Sequence, residues 1–276
     1  MDICVLGAGI SGLSISKLLE DNHNLTIFEK SSQIGGIAKT KQVDNITFHQ
    51  IGGHCFNSKH SDVKEFVFDK IMPLNDWHLV KRNAAIKFKK NEINYPIEFA
   101  IKEIFKFDED CAINIVKDFL NSKDDFKYKN LDQWFRKKFG NTLSEEYFLP
   151  YNKKIWNKDP KEMDYAWVKD KLPVPNTLQF FKGLIESEED KMPHSEFYYP
   201  NSNNQNTFIE KLSENLNIIF NRKIDSIFFD SKKQKWCLNN ELYFDKIIST
   251  IPLNEVPQII QNCPEEIIDA ANNLKF

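Results

Sequence analysis

The residues with the clearest chemical content stand near the start of the chain. Gly7-Ala8-Gly9-Ile10-Ser11-Gly12 is a GxGxxG turn, and an acid, Glu29, follows about twenty residues on. With this spacing a chain can hold the diphosphate and ribose of a dinucleotide. Gly7 permits a tight turn, Gly9 lets a diphosphate approach the backbone, and Gly12 lets helix pack closely on strand. A helix opening at Ile10 and Ser11 offers free N–H groups and a partial positive charge to the anion. The Glu29 carboxylate would accept hydrogen bonds from ribose hydroxyls, with Lys30 grouped beside it. Of the 9 glycines, only Gly140 and Gly183 lie beyond Gly53, so the N-terminal region is where backbone must come close to something.

That chemistry needs a scaffold, and the flanking residues supply one. Asp2-Ile3-Cys4-Val5-Leu6 is an apolar run suited to a buried parallel strand. Leu13, Ile15, Leu18 and Leu19 continue at helical spacing, and Leu25-Thr26-Ile27-Phe28 is a second strand closed by Glu29. Strand, glycine turn, helix, strand and acid in register predict an α/β protein with a Rossmann nucleotide-binding domain. Gly35 and Gly36 come soon after Glu29. A Gly-Gly step at this place resembles the extended FAD fingerprint of the glutathione-reductase-like flavoproteins, especially their amine-oxidase branch. Nicotinamide dehydrogenases usually proceed to a helix here, so FAD is the expected cofactor.

Phe48-His49-Gln50-Ile51-Gly52-Gly53-His54-Cys55-Phe56 resembles the Gly-Gly-His segment of the UDP-galactopyranose mutases, where the loop runs beside the flavin ring. Asp76-Trp77 with Arg82, and then Asn94-Tyr95-Pro96, look like the segment leading into their helical substrate domain. The most specific match is Pro150-Tyr151-Asn152-Lys153-Lys154-Ile155-Trp156 with Trp167 downstream, similar to the eukaryotic-type branch. Tyr199-Pro200 with Phe208 and Leu212, and Ile247-Ile248-Ser249-Thr250-Ile251-Pro252, resemble the return into the FAD domain. The resemblance runs from Met1 to about Pro252.

The resemblance implies an isomerase that interconverts pyranose and furanose forms of a UDP-sugar with no net redox change. Reduced flavin N5 attacks the anomeric carbon and expels UDP, giving a flavin–sugar adduct that opens, recloses through another hydroxyl and takes UDP back. It places Gly52, Gly53 and His54 at the cofactor, with His54 against the flavin as the catalytic candidate. Asn152, Trp156 and Lys171 fall in the sugar-nucleotide pocket. Lys171 stands where that branch carries an arginine, which keeps the charge but loses the bidentate fork. Tyr199-Pro200-Asn201-Ser202-Asn203-Asn204 lacks the glycines usual before the following helix. By spacing alone, Trp156 and Trp167 serve equally well as core aromatics. His23, His49, His60, His78 and His194 have no ligand spacing and read as surface or core residues; no metal site is expected.

Composition bounds the remaining possibilities. At 276 residues, 41% hydrophobic and 28% charged, the chain is globular and long enough for one large domain or two ordinary ones. Lys+Arg 37 against Asp+Glu 40, a net charge of −3, provides no basic field for nucleic acid or a membrane surface. No apolar run approaches the roughly 18 residues that span a bilayer. The 5 scattered cysteines predict reduced thiols and no disulfide framework. The abundant Asn and Phe read as coding bias. The expectation is a soluble cytoplasmic protein acting on a UDP-sugar, with neither nucleic acid nor a membrane span; a homo-oligomer stays open.

The expected architecture is a glutathione-reductase-like Rossmann FAD-binding domain, residues 1–72 and 200–276, with an inserted, mostly helical substrate domain at 73–199. Helices are expected at 61–71, 97–107, 109–120, 131–139, 144–151 and 204–216, and a short hairpin at 85–88 and 92–94. Strands at 218–220, 224–229, 235–238 and 246–248 are expected to return to the first sheet. The charged runs 123–129 and 186–191 read as solvated loops. The resemblance also implies a further C-terminal part after Phe276, carrying diphosphate-binding arginines and tyrosines, without which these residues would be poorly active. Two other functions stay open: a redox flavoenzyme of the amine-oxidase or protoporphyrinogen-oxidase type, and a truncated, non-catalytic FAD-binding protein. The 150–156 block favours the mutase.

Overall fold

The computed structural model describes residues 1–121, 127–168, 171–172, 174–185 and 196–274. The run 186–191, residues 123–126 of the other charged run, and His194 lie outside the described residues. Two compact units are formed, Met1–Val80 with Glu196–Phe276, and Lys81–Ser195.

The first unit begins with β1 (Asp2–Leu6), whose Cys4 and Val5 are fully buried, as a central parallel strand requires. Helix α1 (Ile10–Leu19) crosses over to β2 (Asn24–Phe28), which pairs parallel with β1 from Asp2–Asn24 through Leu6–Phe28. The face of α1 turned to the core is set by Gly12, Leu13 and Ser16, while Leu18 is exposed. Ser16 is tolerated there because its hydroxyl donates to the Gly12 carbonyl at 2.7 Å. A hairpin of β3 (Thr40–Val43) and β4 (Ile46–His49) follows, turned by Asp44 and Asn45 at positive φ. Helix α2 (Ser61–Glu65) runs into a π-helical turn over Phe66–Ile71, and β5 (Trp77–Lys81) closes the segment.

The second unit opens with the expected hairpin, β6 (Ala85–Phe88) and β7 (Asn91–Asn94). Helices α3 (Ile101–Phe105), α4 (Glu109–Leu120), α5 (Leu131–Leu143), α6 (Leu149–Trp156) and α7 (Thr177–Ile185) follow. Caps fix where two of them start: Asp108 accepts the Cys111 N–H, and Asn130 the Gln133 N–H, both at 3.0 Å. Trp134, Phe135, Phe139 and Phe148 fill the centre, with Phe135 and Phe148 stacked at 4.8 Å. The helical geometry ends at Phe139 as expected: Gly140 (φ 81°, ψ 169°) breaks it, and a second helical stretch carries α5 on to Leu143. A β-carbon there would lie 2.3 Å from Asp118 Cβ, so only glycine lets α5 pass α4 so closely. A π-helical turn over Ser144–Phe148 then leads into α6.

The chain re-enters the first unit at β8 (Glu196–Pro200), followed by α8 (Asn206–Ser213) and β9 (Ile218–Ile219). Next come β10 (Ile227–Asp230), β11 (Lys235–Leu238), β12 (Leu242–Phe244) and β13 (Lys246–Ser249). Short helices α9 (Val256–Ile259) and α10 (Glu265–Asn272) complete the described residues. The parallel sheet has the order β13-β1-β2-β9.

Three expectations are corrected. Among the described residues, β9 and β13 return to the first sheet, whereas β10, β11 and β12 make a separate antiparallel meander, the four-residue link from β10 to β11 setting their antiparallel pairing. Residues 73–80 join the first unit, because β5 pairs with β8. The asparagines have a structural use beyond coding bias. Eight of them, including Asn45, Asn157, Asn203 and Asn239, take the positive φ that a glycine-poor chain must supply otherwise. Asn203 (φ 56°) does so in the loop before α8 that lacks glycine.

Candidate functional site

In the first unit, the glycine turn is built from three directions. The chain leaves β1 at Gly7 (φ 97°), whose N–H donates to the Phe28 carbonyl at 2.9 Å. Gly9, extended at φ −75° and ψ 176°, is the N-cap of α1 and makes no side-chain cap hydrogen bond to its first-turn amides at Ile10, Ser11 and Gly12. Thr250, just after β13, donates from its hydroxyl to the Leu6 carbonyl at 2.7 Å and ties that strand end to the turn. The second glycine pair folds back on the first. Gly35 N–H donates to the Ala8 carbonyl at 2.8 Å, and a β-carbon on Gly9 would meet only the Gly36 Cα, at 3.8 Å. An uncapped helix start beside an open glycine fits a dinucleotide diphosphate.

Glu29 is 8% exposed and braces this turn. One carboxylate oxygen accepts the Ala8 N–H at 2.9 Å; the other accepts the Ser31 N–H and hydroxyl, each at 2.8 Å. Burial opposes its charge, but these bonds and the nearby Lys39 outweigh burial and hold the carboxyl below its ordinary range. Three of roughly four acceptor positions are used, which leaves one for a ribose hydroxyl. Lys30 is exposed and lies 3.8 Å from Glu255 at the surface.

Gly52 and Gly53 are exposed, and a β-carbon on either would meet nothing within 4 Å. His54 Nδ1 donates to the Gly52 carbonyl at 3.1 Å, and its backbone N–H donates to His49 Nδ1 at 3.2 Å. His49 in turn lies 2.8 Å, through Nε2, from the Tyr199 hydroxyl. His49 was not singled out by spacing, since its partner stands 150 residues away.

In the second unit the sequence candidates join into one chain of contacts. Asn152, 6% exposed, donates to the Phe148 carbonyl at 2.8 Å and accepts from Trp156 Nε1–H at 3.2 Å. Trp156 is 50% exposed, so it is not a core aromatic, and it meets Trp167 edge to face at 5.1 Å. Lys171 Nζ lies 5.8 Å from the centre of the Trp167 ring. Tyr151, on the same helix, stacks on Tyr147 at 5.1 Å.

Glu98 is a residue the sequence did not flag. It is 3% exposed, and its Oε1 has no hydrogen-bond partner among the described residues. Burial pushes its carboxyl up to about 8, and burial together with the nearby Glu98 raises Tyr95 and Tyr147. Arg82 lies 5.3 Å from the centre of the Tyr95 ring. The available signal was a carboxylate inside the apolar run Pro96-Ile97-Glu98-Phe99-Ala100-Ile101.

Residues 5–69 match the NAD(P)-binding Rossmann-like domain family. Fold and glycine turn thus define an α/β protein with a Rossmann-like nucleotide-binding unit. The chain is 25% identical to UDP-galactopyranose mutase of Mycoplasma genitalium over 248 residues, 84% of this chain and 56% of that protein. It is 26% identical to dTDP-fucopyranose mutase of Escherichia coli over 180 residues, 62% of this chain and 46% of that one. The crystal structure of a reduced UDP-galactopyranose mutase has a TM-score of 0.82 at 20% identity, covering 100% of this chain and 61% of the other. In sequence and in fold, then, the chain is similar to UDP-galactopyranose mutases. The chain spans about half the length of the curated relatives it matches. No helix among the described residues is long and apolar enough to cross a membrane.

Proposed function

We propose that this chain carries the FAD site and part of the substrate site of a nucleotide-sugar mutase, which interconverts pyranose and furanose rings without net redox change. The first-turn amides at Ile10, Ser11 and Gly12 hold the FAD diphosphate, Glu29 takes a ribose hydroxyl, and the Gly52–His54 turn borders the flavin. Reduced FAD, when bound, supplies the nucleophile for the anomeric carbon.

The observation that carries the reading is the contact chain Asn152–Trp156–Trp167–Lys171. A half-exposed indole, oriented by a buried amide, offers a flat apolar face to a sugar or base. A lysine beside the second indole offers a positive charge to a diphosphate as a point charge, without an arginine's fork. Kinship with both a UDP-sugar and a dTDP-sugar mutase supports a pyrimidine nucleotide sugar as substrate.

The test is a visible flavin spectrum of the purified protein, followed by ring contraction of UDP-galactopyranose with and without dithionite. FAD retention and reductant-dependent ring contraction in the longest open reading frame are expected. Oxygen consumption with an amine, and no change in the sugar ring, would overturn the proposal.

A further inference from the structure

His49 ends β4 and makes two hydrogen bonds that the proposed reaction does not itself require. Its Nδ1 accepts the His54 backbone N–H at 3.2 Å, and its Nε2 lies 2.8 Å from the Tyr199 hydroxyl. An amide N–H can only donate, so Nδ1 carries no proton. The ring proton of neutral His49 therefore sits on Nε2 and is donated to the Tyr199 oxygen. This closes the segment 49–54 on itself, with Gly52 (φ 68°) at the bend. Tyr199 lies on β8, and the backbone of Gln205 at the start of α8 lies beside its hydroxyl. Ile209 of α8 packs over Gly35. One imidazole thus links the turn carrying His54 to the helix seated on the nucleotide glycines.

We propose that His49 is a positioning residue: neutral and protonated at Nε2, it holds the Gly52–His54 turn in place, and protonation of the ring releases that turn. The inference rests on the reading of His54 as a residue facing the flavin. Protonated His49 has an N–H at both ring positions, so donor would meet donor at the His54 amide. Among the described residues, the titratable groups in contact with His49 are His54 on the turn and Tyr199 on β8. Beyond the phenol lie Cys55 and, on β5, His78 with its ring 6.0 Å from that of Tyr199. None is a carboxylate that would stabilise an imidazolium. Burial and the neighbouring His54 lower the His49 pKa, which favours the neutral ring at neutral pH.

Two measurements decide the matter and separate it from failure of the functional reading. Nitrogen-15 NMR of labelled histidine, with or without FAD, reports the tautomer directly. His49 is expected as the Nε2–H form; an Nδ1–H form overturns the proposal. In FAD-saturated protein, flavin absorbance is followed from about pH 8 to about pH 5. Wild type is expected to show a one-proton transition, and His49→Asn, whose acceptor does not titrate, is expected to lack it. His49→Phe is expected to resemble acidified wild type at all pH values and to bind FAD about three- to tenfold more weakly. A transition that persists in His49→Asn, or none in FAD-bound wild type, overturns the proposal. Protein that binds no FAD sinks the functional reading instead, and the tautomer then decides the role of His49.

Discussion

A β-carbon on Gly12 would lie 1.9 Å from the carbonyl oxygen of Gly7, so helix α1 and the end of β1 meet at a distance only glycine allows. The atom in the way is backbone and cannot rotate aside. Gly12→Ala is expected to cost about 3 kcal/mol or more and to abolish FAD binding. Gly9→Ala is the informative contrast, because its φ of −75° suits any residue and its nearest neighbour is 3.8 Å away. It is expected to fold with stability within about 0.5 kcal/mol of wild type yet to bind FAD at least about tenfold more weakly. Thermal melts and flavin titration read both. Wild-type FAD affinity in Gly9→Ala would mean that no diphosphate passes over this turn.

Glu29 makes the glycine turn sensitive to acid. Its folded pKa lies below the ordinary carboxylate value, so its contribution is present above the unfolded value and is lost as pH falls through the folded one. Glu29→Gln is expected to destabilise by about 1–2 kcal/mol at neutral pH, with the difference shrinking below about pH 4. Urea melts at both pH values measure this; a constant difference would show that the Glu29 charge is not what braces Ala8 and Ser31.

Glu98 behaves in the opposite sense. Its folded carboxyl is raised to about 8, so the folded state holds a proton that the unfolded chain releases near its ordinary value. Stability should therefore fall as pH rises from the unfolded value toward about 8, by up to about 1.4 kcal/mol per pH unit. Glu98→Gln is expected to match wild type near pH 4 and to be the more stable protein at pH 8, with a gap that widens steadily between them. Parallel melting curves for the two proteins across that range would exclude a buried, titrating Glu98.

Trp156 and Asn152 should separate binding from stability. Trp156 is half exposed, so Trp156→Ala is expected to leave the melting temperature nearly unchanged while weakening UDP binding by about tenfold or more. Asn152 is buried and bonded at both ends of its amide, so Asn152→Ala is expected to cost about 1–3 kcal/mol and to weaken UDP as well. Calorimetric titration with UDP, beside thermal melts, reads the pair. Unaltered UDP affinity in Trp156→Ala would remove the indole from the nucleotide site.

The amino-acid order by itself determined the strand, glycine turn, helix, strand and Glu29 at the start, because each depends on partners within one short stretch. A buried strand needs a run of apolar residues, an open helix start needs glycine, and both are written locally. The same holds for α4 and for the β6–β7 hairpin, which local periodicity, a cap and a turn set without distant help.

Tertiary structure decided what depends on distant choices. Whether β10 and β11 join the first sheet or form their own is a matter of pairing, and their residues suit either. Helical spacing places Trp156 on a face but does not say whether that face is covered, and here it is not. Burial made Glu98 a raised acid, and the approach of β8 to β4 turned His49, read from spacing as a surface or core residue, into the partner of Tyr199. Exposure, acidity and cross-chain hydrogen bonds come from packing between residues remote in sequence, and no local pattern carries them.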